Sequence, residues 1–560
     1  MAASLGRREY FGIGASAGEA AGRIFCPDCH TRPIPGRADA NVGSDPDAER
    51  KRLALACRSA AQELERLAAE MRSRAGDAAE IFEIHRMMTE DGDLLEAAQR
   101  HIAAGETAAA AIIAAGDELS AQMAALGDEY LGARGADIKD VAQRIARHAC
   151  GGGAVTAEIP AGALILARDL SPGDTAALDP TRVRGLATIG GSPTSHTAIL
   201  ARQLGLPAVV RLGGIDEGEL SALDGKEAMI DGRGGRLLIE PTLPELEELA
   251  SRTARERERR AAQRSAAALP AVTRSGRRVT VMANIGSPAE AATAAELGAE
   301  GVGLFRSEFL YLGRAEPPGE EEQVAAYRQV IRAIPRGQVI IRTLDIGADK
   351  QEGQVAAAGA ENPALGVRGL RWCMEAANLS LFRTQLRAVC RASVGGRVAL
   401  MLPMVTTPAE VERVRELLRE VQNELRFEEA EFDPEMPLGI MIETPAAALM
   451  ADELCRICDF FSIGTNDLCQ YTLAADRQSA ALLELVREGM PAVLRLIGQV
   501  CGAVRRARES GEGRVRWVGV CGELAADPEI CAALVHLGAD EVSLPPPSIP
   551  EIKAAIREME

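Results

Sequence analysis

The chain has 560 residues and a formal net charge of −18, from 63 Lys and Arg against 81 Asp and Glu. That length can bury several cores, and the acidic balance disfavours a nucleic-acid or anionic-membrane surface while suiting a basic protein partner. No apolar run is long enough to span a bilayer, the stretch Met1–Arg8 lacks the apolar segment of a signal peptide, and twelve scattered cysteines point to reduced thiols in the cytoplasm.

Residues 8–25 read as strands broken by Gly turns. Cys26-Pro27-Asp28-Cys29-His30 matches the haem c attachment spacing letter for letter. No signal peptide leads it to a haem-attaching compartment, and no second pair lies close enough to complete four zinc ligands, so neither group is expected. Residues 47–149 change character: Ala, Leu, Glu and Arg dominate, with apolar residues at helical spacing. Ser44 or Asp45 can cap the first helix, Pro46 suits its first position, and Gly76, Gly92, Gly105 and Gly127 punctuate the run. After Gly151-Gly152-Gly153 the strand pattern returns at Ala163–Ala167, Gly185–Ile189, Ala208–Val210 and Ala228–Ile230. The helical subdomain (47–149) therefore reads as an insertion into an α/β domain built from 8–46 and 150–240.

Inside that α/β domain, Gly190-Gly191-Ser192-Pro193-Thr194-Ser195-His196 joins a strand to an Ala/Ile/Leu helical pattern. Free N–H groups and the positive end of the helix dipole gather at such a start, which suits phosphate. A histidine held there can carry a phosphoryl group on a ring nitrogen; taken alone, it more often caps or packs the helix. The charged run 243–267 reads as a linker helix within a segment spanning 241–270. From 271 to 560 eight short apolar strands alternate with helix patterns: Val279–Asn284, Gly301–Phe305, Val339–Thr343, Val398–Met404, Leu438–Ile442, Phe460–Gly464, Trp517–Val520 and Glu541–Leu544. Eight such units predict a (β/α)8 TIM barrel with its chemistry at the C-terminal strand ends.

Those ends carry Arg306, Arg342, Glu443, Asn466, Asp467 and Cys521, with Asp345, Lys350 and Arg477 nearby. Arginines offer forked donors for phosphate or carboxylate, and Glu443 and Asp467 offer hard oxygen ligands for Mg2+. Each alone reads equally as a structural ion pair; together they describe a phosphorylated carboxylic acid bound through Mg2+. Cys521 is a nucleophile, an acid/base group or a packed small residue. Cys469, and the pair Cys455 and Cys458 in a helical stretch, read as packing.

With these residues assembled, the chain resembles Enzyme I of the bacterial phosphoenolpyruvate-dependent sugar phosphotransferase system. The resemblance is carried by Gly303–Leu310 (GLFRSEFL), Ile341–Gly347 (IRTLDIG), Glu361-Asn362-Pro363, Ile442–Ala446 (IETPA), Phe461–Leu468 (FSIGTNDL) and Cys521–Ala525 (CGELA). In the helical insert, Glu80–His85 (EIFEIH) resembles the family's docking domain for the phosphocarrier protein HPr. The resemblance implies that His196 accepts the phosphoryl group of phosphoenolpyruvate and passes it to a histidine of HPr, the first step of sugar uptake. It implies that Glu443 and Asp467 hold Mg2+, that Arg306, Arg342, Lys350, Asn466, Asp467, Arg477 and Arg368 bind substrate, and that Cys521 protonates C3 to give pyruvate. It also implies that Thr175 and Arg202 support the phosphohistidine and that the barrel forms a homodimer; from charge and the lack of a spanning run, no nucleic acid and no membrane insertion are expected. Serving two sites requires the α/β domain to swivel about the 243–267 helix.

The chain departs from the family at Ser192-Pro193, where an arginine is usual, and at Ala17, where proline is usual; the short family tail after the last helix is expected to be reduced or absent. Pyruvate phosphate dikinase and phosphoenolpyruvate synthase share the histidine domain and barrel but need an ATP domain larger than the helical insert. A nitrogen-regulatory homologue needs an N-terminal sensory domain for which no room is expected. A non-catalytic scaffold fits poorly with intact His196, Glu443, Asp467 and Cys521.

Overall fold

A computed structural model describes residues 7–30, 45–75, 80–125, 129–151, 159–170, 175, 178–179, 181–191, 196–312, 314, 316–345, 362, 364–394, 397–476, 479 and 482–560. The chain divides into two compact units, Met1–Arg255 and Glu256–Glu560. Helix Leu243–Ser265 runs through the boundary and ends two residues before the predicted limit.

In the first unit, eight strands form one sheet. They are β1 (Arg8–Phe11), β2 (Ile13–Ser16), β3 (Glu19–Phe25), β4 (Ala163–Ala167), β5 (Val183–Thr188), β6 (Ala208–Val210), β7 (Glu227–Asp231) and β8 (Arg236–Ile239), in the order β1-β8-β7-β3-β4-β5-β6-β2. The centre, β3 to β6, is parallel, and β4 is buried along its whole length. Antiparallel strands flank it on both sides. Strand β8 goes beyond the sequence reading: Leu237-Leu238-Ile239 is a very short apolar run that becomes a strand through its two antiparallel partners, β7 and β1.

Between β3 and β4 the chain forms the helical insert: Pro46–Ala75, Glu80–Met88, Gly92–Ala103, Ala108–Ala125 and Glu129–Ala149. Asp45 does cap the first of these, accepting from Asp47 N at 3.1 Å, with Pro46 in the first position. Small residues let the helices approach closely. A Cβ on Gly116 would lie 2.6 Å from Ala142 Cβ, so helices 108–125 and 129–149 meet only because Gly116 has none. Buried Glu49 accepts from Ala108 N at 2.8 Å and so satisfies one of the open amides at the start of helix 108–125.

In the second unit, β10 (Arg278–Ile285), β11 (Val302–Arg306), β12 (Gln338–Arg342), β13 (Arg397–Leu402), β14 (Leu438–Ile442), β15 (Phe460–Ile463), β16 (Trp517–Val520) and β17 (Glu541–Leu544) pair in parallel all the way round. The short β9 (Ala271–Val272) adds antiparallel to β10. All eight predicted barrel strands are present. β12 and β15 end one residue before the predicted limit and β13 two; β13 stops at Leu402 because Pro403 has no N–H for the ladder and Met404 turns to a positive φ of 55°. Outward-facing residues such as Phe305, Ile341 and Val542 join the helices in one continuous core, while Leu304, Ile340, Ala399, Met401, Met441, Phe460 and Cys521 fill the lumen.

Candidate functional site

The C-terminal ends of the barrel strands gather a dense charged cluster. Arg342, the last residue of β12, is 8 % exposed; its Nη2 donates to Glu308 Oε1 at 2.5 Å and its Nη1 lies 3.2 Å from Asp345 Oδ2. Arg368, also 8 % exposed, reaches Asp345 Oδ2 at 3.1 Å and Asp467 Oδ2 at 3.7 Å, and donates from Nη1 to Tyr471 Oη at 3.1 Å. Both guanidiniums are held charged: the surrounding carboxylates outweigh the burial that opposes them. Arg306, at the end of β11, is half-buried with its guanidinium carbon 5.8 Å from the Phe309 ring centre. The backbone beneath is fixed by buried Ser307, whose Oγ donates to Arg342 O at 2.6 Å and accepts from Gln385 Nε2 at 2.9 Å.

Glu443 follows β14 and is almost fully buried. Its Oε1 accepts from Met404 N at 2.6 Å, an amide aimed inward by the left-handed backbone of Met404. Burial raises its carboxyl pKa, and the negative charges of Asp467 and Asp345 raise it further. Asp467 opens helix Thr465–Leu473 after β15. Two mutually repelling buried carboxylates fit a divalent cation, with further octahedral positions left for water and substrate oxygens.

Cys521 follows β16 with its thiol facing the lumen at 5 % exposure. Its Sγ lies 3.6 Å from Ile463 O, and burial pushes the thiol pKa up to about 12. It is therefore a protonated, desolvated acid rather than a ready thiolate nucleophile. Close packing sets its position, because a Cβ on the next residue, Gly522, would fall 1.6 Å from Thr465 Oγ1. Asn466 Oδ1 accepts from Glu523 N at 3.3 Å, tying the β15 and β16 ends together. Lys350 and Arg477 lie outside the described residues.

His196 is the first residue of helix His196–Leu204, which follows the β5 turn as the sequence predicts; its side chain lies outside the described set. The neighbourhood is tied down. Thr197 Oγ1 donates to Leu170 O at 2.7 Å, Thr188 Oγ1 donates to Gly190 O at 2.9 Å, and Gly190 N donates to Arg168 O at 2.7 Å. Thr175 is fully buried. Arg202 sits six residues along the helix, about 9 Å from its start, where its Nε donates to Ala15 O at 2.8 Å.

Family models of phosphoenolpyruvate-utilising enzymes match three segments: the N-terminal domain at 11–134, the mobile domain at 159–235 and the phosphoenolpyruvate-binding domain at 260–560. The chain belongs to this family. It is 41% identical over 511 residues to the multiphosphoryl transfer protein of Rhodobacter capsulatus, covering 90% of this chain and 59% of that one. It is 42% identical over 490 residues to the multiphosphoryl transfer protein of Xanthomonas campestris pv. campestris, covering 86% and 56%. With the phosphoenolpyruvate-protein phosphotransferase of Geobacillus stearothermophilus it shares 37% identity over 568 residues, covering 100% of this chain and 94% of the relative. The chain thus spans less than two thirds of the first two relatives and nearly all of the third.

The cysteine readings are resolved by burial. Cys26 is fully buried with its Sγ 3.2 Å from Leu220 O, a packed position that no haem vinyl group reaches. Cys455, Cys458 and Cys469 are buried, with thiol pKa values raised by desolvation. Three contributors to the barrel site escaped the sequence reading as partners: Glu308, Tyr471 and the Met404 amide. The first two lie within the matched motifs or their flanks, whereas a backbone amide turned by a positive φ leaves no signal in the residue types.

Proposed function

We propose that this chain is a phosphoenolpyruvate-protein phosphotransferase that moves the phosphoryl group of phosphoenolpyruvate to His196 and then to a histidine of HPr, releasing pyruvate. The observation that carries the reading is the convergence of Arg342, Arg368, Glu443, Asp467 and Cys521 on one end of a closed barrel. Arg306, Arg342 and Arg368, with Lys350, Arg477 and Asn466, bind the phosphate and carboxylate of the substrate and hold its bridging oxygen on the side of phosphorus opposite the incoming imidazole. Glu443 and Asp467 hold Mg2+, which when bound neutralises charge on the transferring group. His196 accepts the phosphoryl group at a helix start suited to the phosphate dianion, with Thr175 and Arg202 in support. Cys521, protonated and dry, delivers its proton to C3 of the enolpyruvate.

The helical insert is the docking surface for HPr, and the acidic balance of the chain suits a partner that presents a basic face. The α/β domain moves between donor and acceptor about helix 243–265, the barrels pair as a homodimer, and the protein works in the cytoplasm at the entry to sugar uptake. The deciding experiment supplies phosphoenolpyruvate labelled on phosphorus, with Mg2+. Acid-labile label is expected on the protein and lost in His196→Ala; a protein that takes up no label sinks the reading.

A further inference from the structure

The strand end that carries Cys521 is held by a side chain from neither of its neighbouring strands. Asn284 lies near the end of β10, and β17 stands between β10 and β16 in the barrel. Asn284 is buried, and strand alternation puts it on the inner face, because Val281, Ala283 and Ile285 pack outward against the helices. A bulge pairs Ala283 with Val302 but Asn284 with Leu304, which leaves Gly303 of β11 as the extra residue. A Cβ on Gly303 would lie 2.6 Å from Ser543 Oγ on β17, so the bare glycine leaves room for that hydroxyl. Ser543 Oγ donates to Asn284 Oδ1 at 2.6 Å. Asn284 Nδ2 donates to Ser543 O at 3.1 Å and, reaching past β17, to Cys521 O at 2.9 Å. Both of these acceptors are carbonyls, so only the nitrogen end of the amide can face them. One buried amide, with both N–H groups and its oxygen engaged, ties β10, β17 and β16 together.

The bond to Cys521 lies where the ladder has run out. β16 and β17 pair only as far as Val520 and Val542. On the other side, Cys521 N donates to Ile463 O of β15 at 3.0 Å. Cys521 is thus pinned at both ends of its backbone, the N–H by β15 and the carbonyl by Asn284. Its Sγ follows that backbone through a single rotatable bond.

We infer that Asn284 is a positioning residue for protonation at C3, an inference that rests on Cys521 being the acid. The phosphoryl group passes from the enol oxygen to the His196 ring nitrogen, and the oxygen keeps the electron pair of the broken P–O bond. That oxygen becomes the ketone as C3 takes the proton of the Cys521 S–H, and water reprotonates the thiolate left behind. The enolate is planar, so an acid held on one side of it delivers the proton to one face. An S–H displaced by about 1 Å slows that step about a hundredfold. Enolpyruvate then departs and is protonated in water on either face.

The test reads that face directly. Phosphoenolpyruvate carrying deuterium and tritium at defined positions on C3 is turned over in ordinary water by the full chain, with Mg2+ and excess purified HPr. Lactate dehydrogenase and NADH trap the pyruvate as it forms, and the chirality of its methyl group is measured. Wild type is expected to give a chiral methyl and Cys521→Ala a racemic one. Asn284→Ala is expected to lose most of the chirality and to lower kcat roughly tenfold or more, with KM within about twofold of wild type. Ser543→Ala frees the amide to turn and is expected to lose chirality in part. Full chirality in Asn284→Ala overturns the inference even where kcat falls, because a fall in rate alone marks a structural role. Should Asn284→Ala not fold, full chirality in Ser543→Ala overturns it instead. A chiral product from Cys521→Ala overturns the acid role beneath it, whatever the Asn284 variant does.

Discussion

His85 offers a stability measurement worked from geometry. It is fully buried in helix Glu80–Met88, with Nε2 3.4 Å from Asp137 and Nδ1 3.4 Å from Asp140 on helix Glu129–Ala149. Desolvation works against its charge, but the two carboxylates win and raise its pKa from 6.5 to about 9. A histidine whose folded pKa is raised contributes stability that is fully present below its unfolded pKa and lost as pH climbs through the folded value. The window here runs from about pH 6.5 to about pH 9, and at 1.36 kcal/mol per pKa unit the contribution is about 3 kcal/mol. Replacing His85 by Gln removes that term. The variant should be less stable than wild type by about 3 kcal/mol at pH 6, and the difference should shrink toward pH 9.5 as the wild type loses its imidazolium. Hydrogen exchange of peptides from helices 80–88 and 129–149, corrected for intrinsic rates, reads local stability in the full chain. A pH-independent difference between variant and wild type, or a His85 ring resonance titrating near 6.5, would refute the reasoning.

Two further outcomes follow from the barrel site. Glu443→Gln removes a carboxylate whose charged form is disfavoured by burial, Asp467 and Asp345, so the metal-free barrel should unfold at a higher temperature while His196 labelling falls by about a hundredfold or more; a lower unfolding temperature contradicts the stated electrostatics. Gly522→Ala places a methyl 1.6 Å from Thr465 Oγ1 and 2.9 Å from its backbone nitrogen, which should cost roughly 1–3 kcal/mol by calorimetry and displace Cys521 enough to slow pyruvate formation; an unperturbed variant would mean that the β15 and β16 ends yield freely.

The barrel was legible because each strand is a short apolar run set between amphipathic helices, and parallel strands buried on both faces need no alternation to be recognised. The site was legible wherever a charged residue ends such a run, as with Arg306, Arg342, Glu443 and Asp467. Legibility failed where position depends on tertiary register. Asp345 reads as one acid after a strand, yet it bridges Arg342 and Arg368, twenty-three residues beyond it. Met404 reads as the apolar end of a strand, yet Pro403 ends the ladder and the amide of Met404 turns inward to Glu443. Glu541 reads as the polar edge of the last strand, and only closure of the sheet between β10 and β17 puts it in the lumen. His85 reads as part of a motif, and nothing local ties it to acids fifty residues on.

Charge balance at the mouth argues for an order of binding. Among the described residues, Glu308, Asp345, Glu443 and Asp467 stand against Arg306, Arg342 and Arg368. Arg342 and Arg368 are already paired, so a phosphorylated acid must compete with Glu308, Asp345 and Asp467 for them. Pre-pairing keeps the guanidiniums in place between turnovers at the cost of affinity for an anion arriving alone. Four carboxylates thus stand against three guanidiniums, and two of them, Glu443 and Asp467, repel each other. A divalent cation relieves that repulsion and turns a mouth hostile to an anion into one that attracts it. Affinity for phosphoenolpyruvate should therefore depend steeply on Mg2+, and most steeply while both carboxylates are intact. In Glu443→Gln the dependence should flatten in direct binding measurements; an undiminished Mg2+ dependence in that variant would place the cation elsewhere.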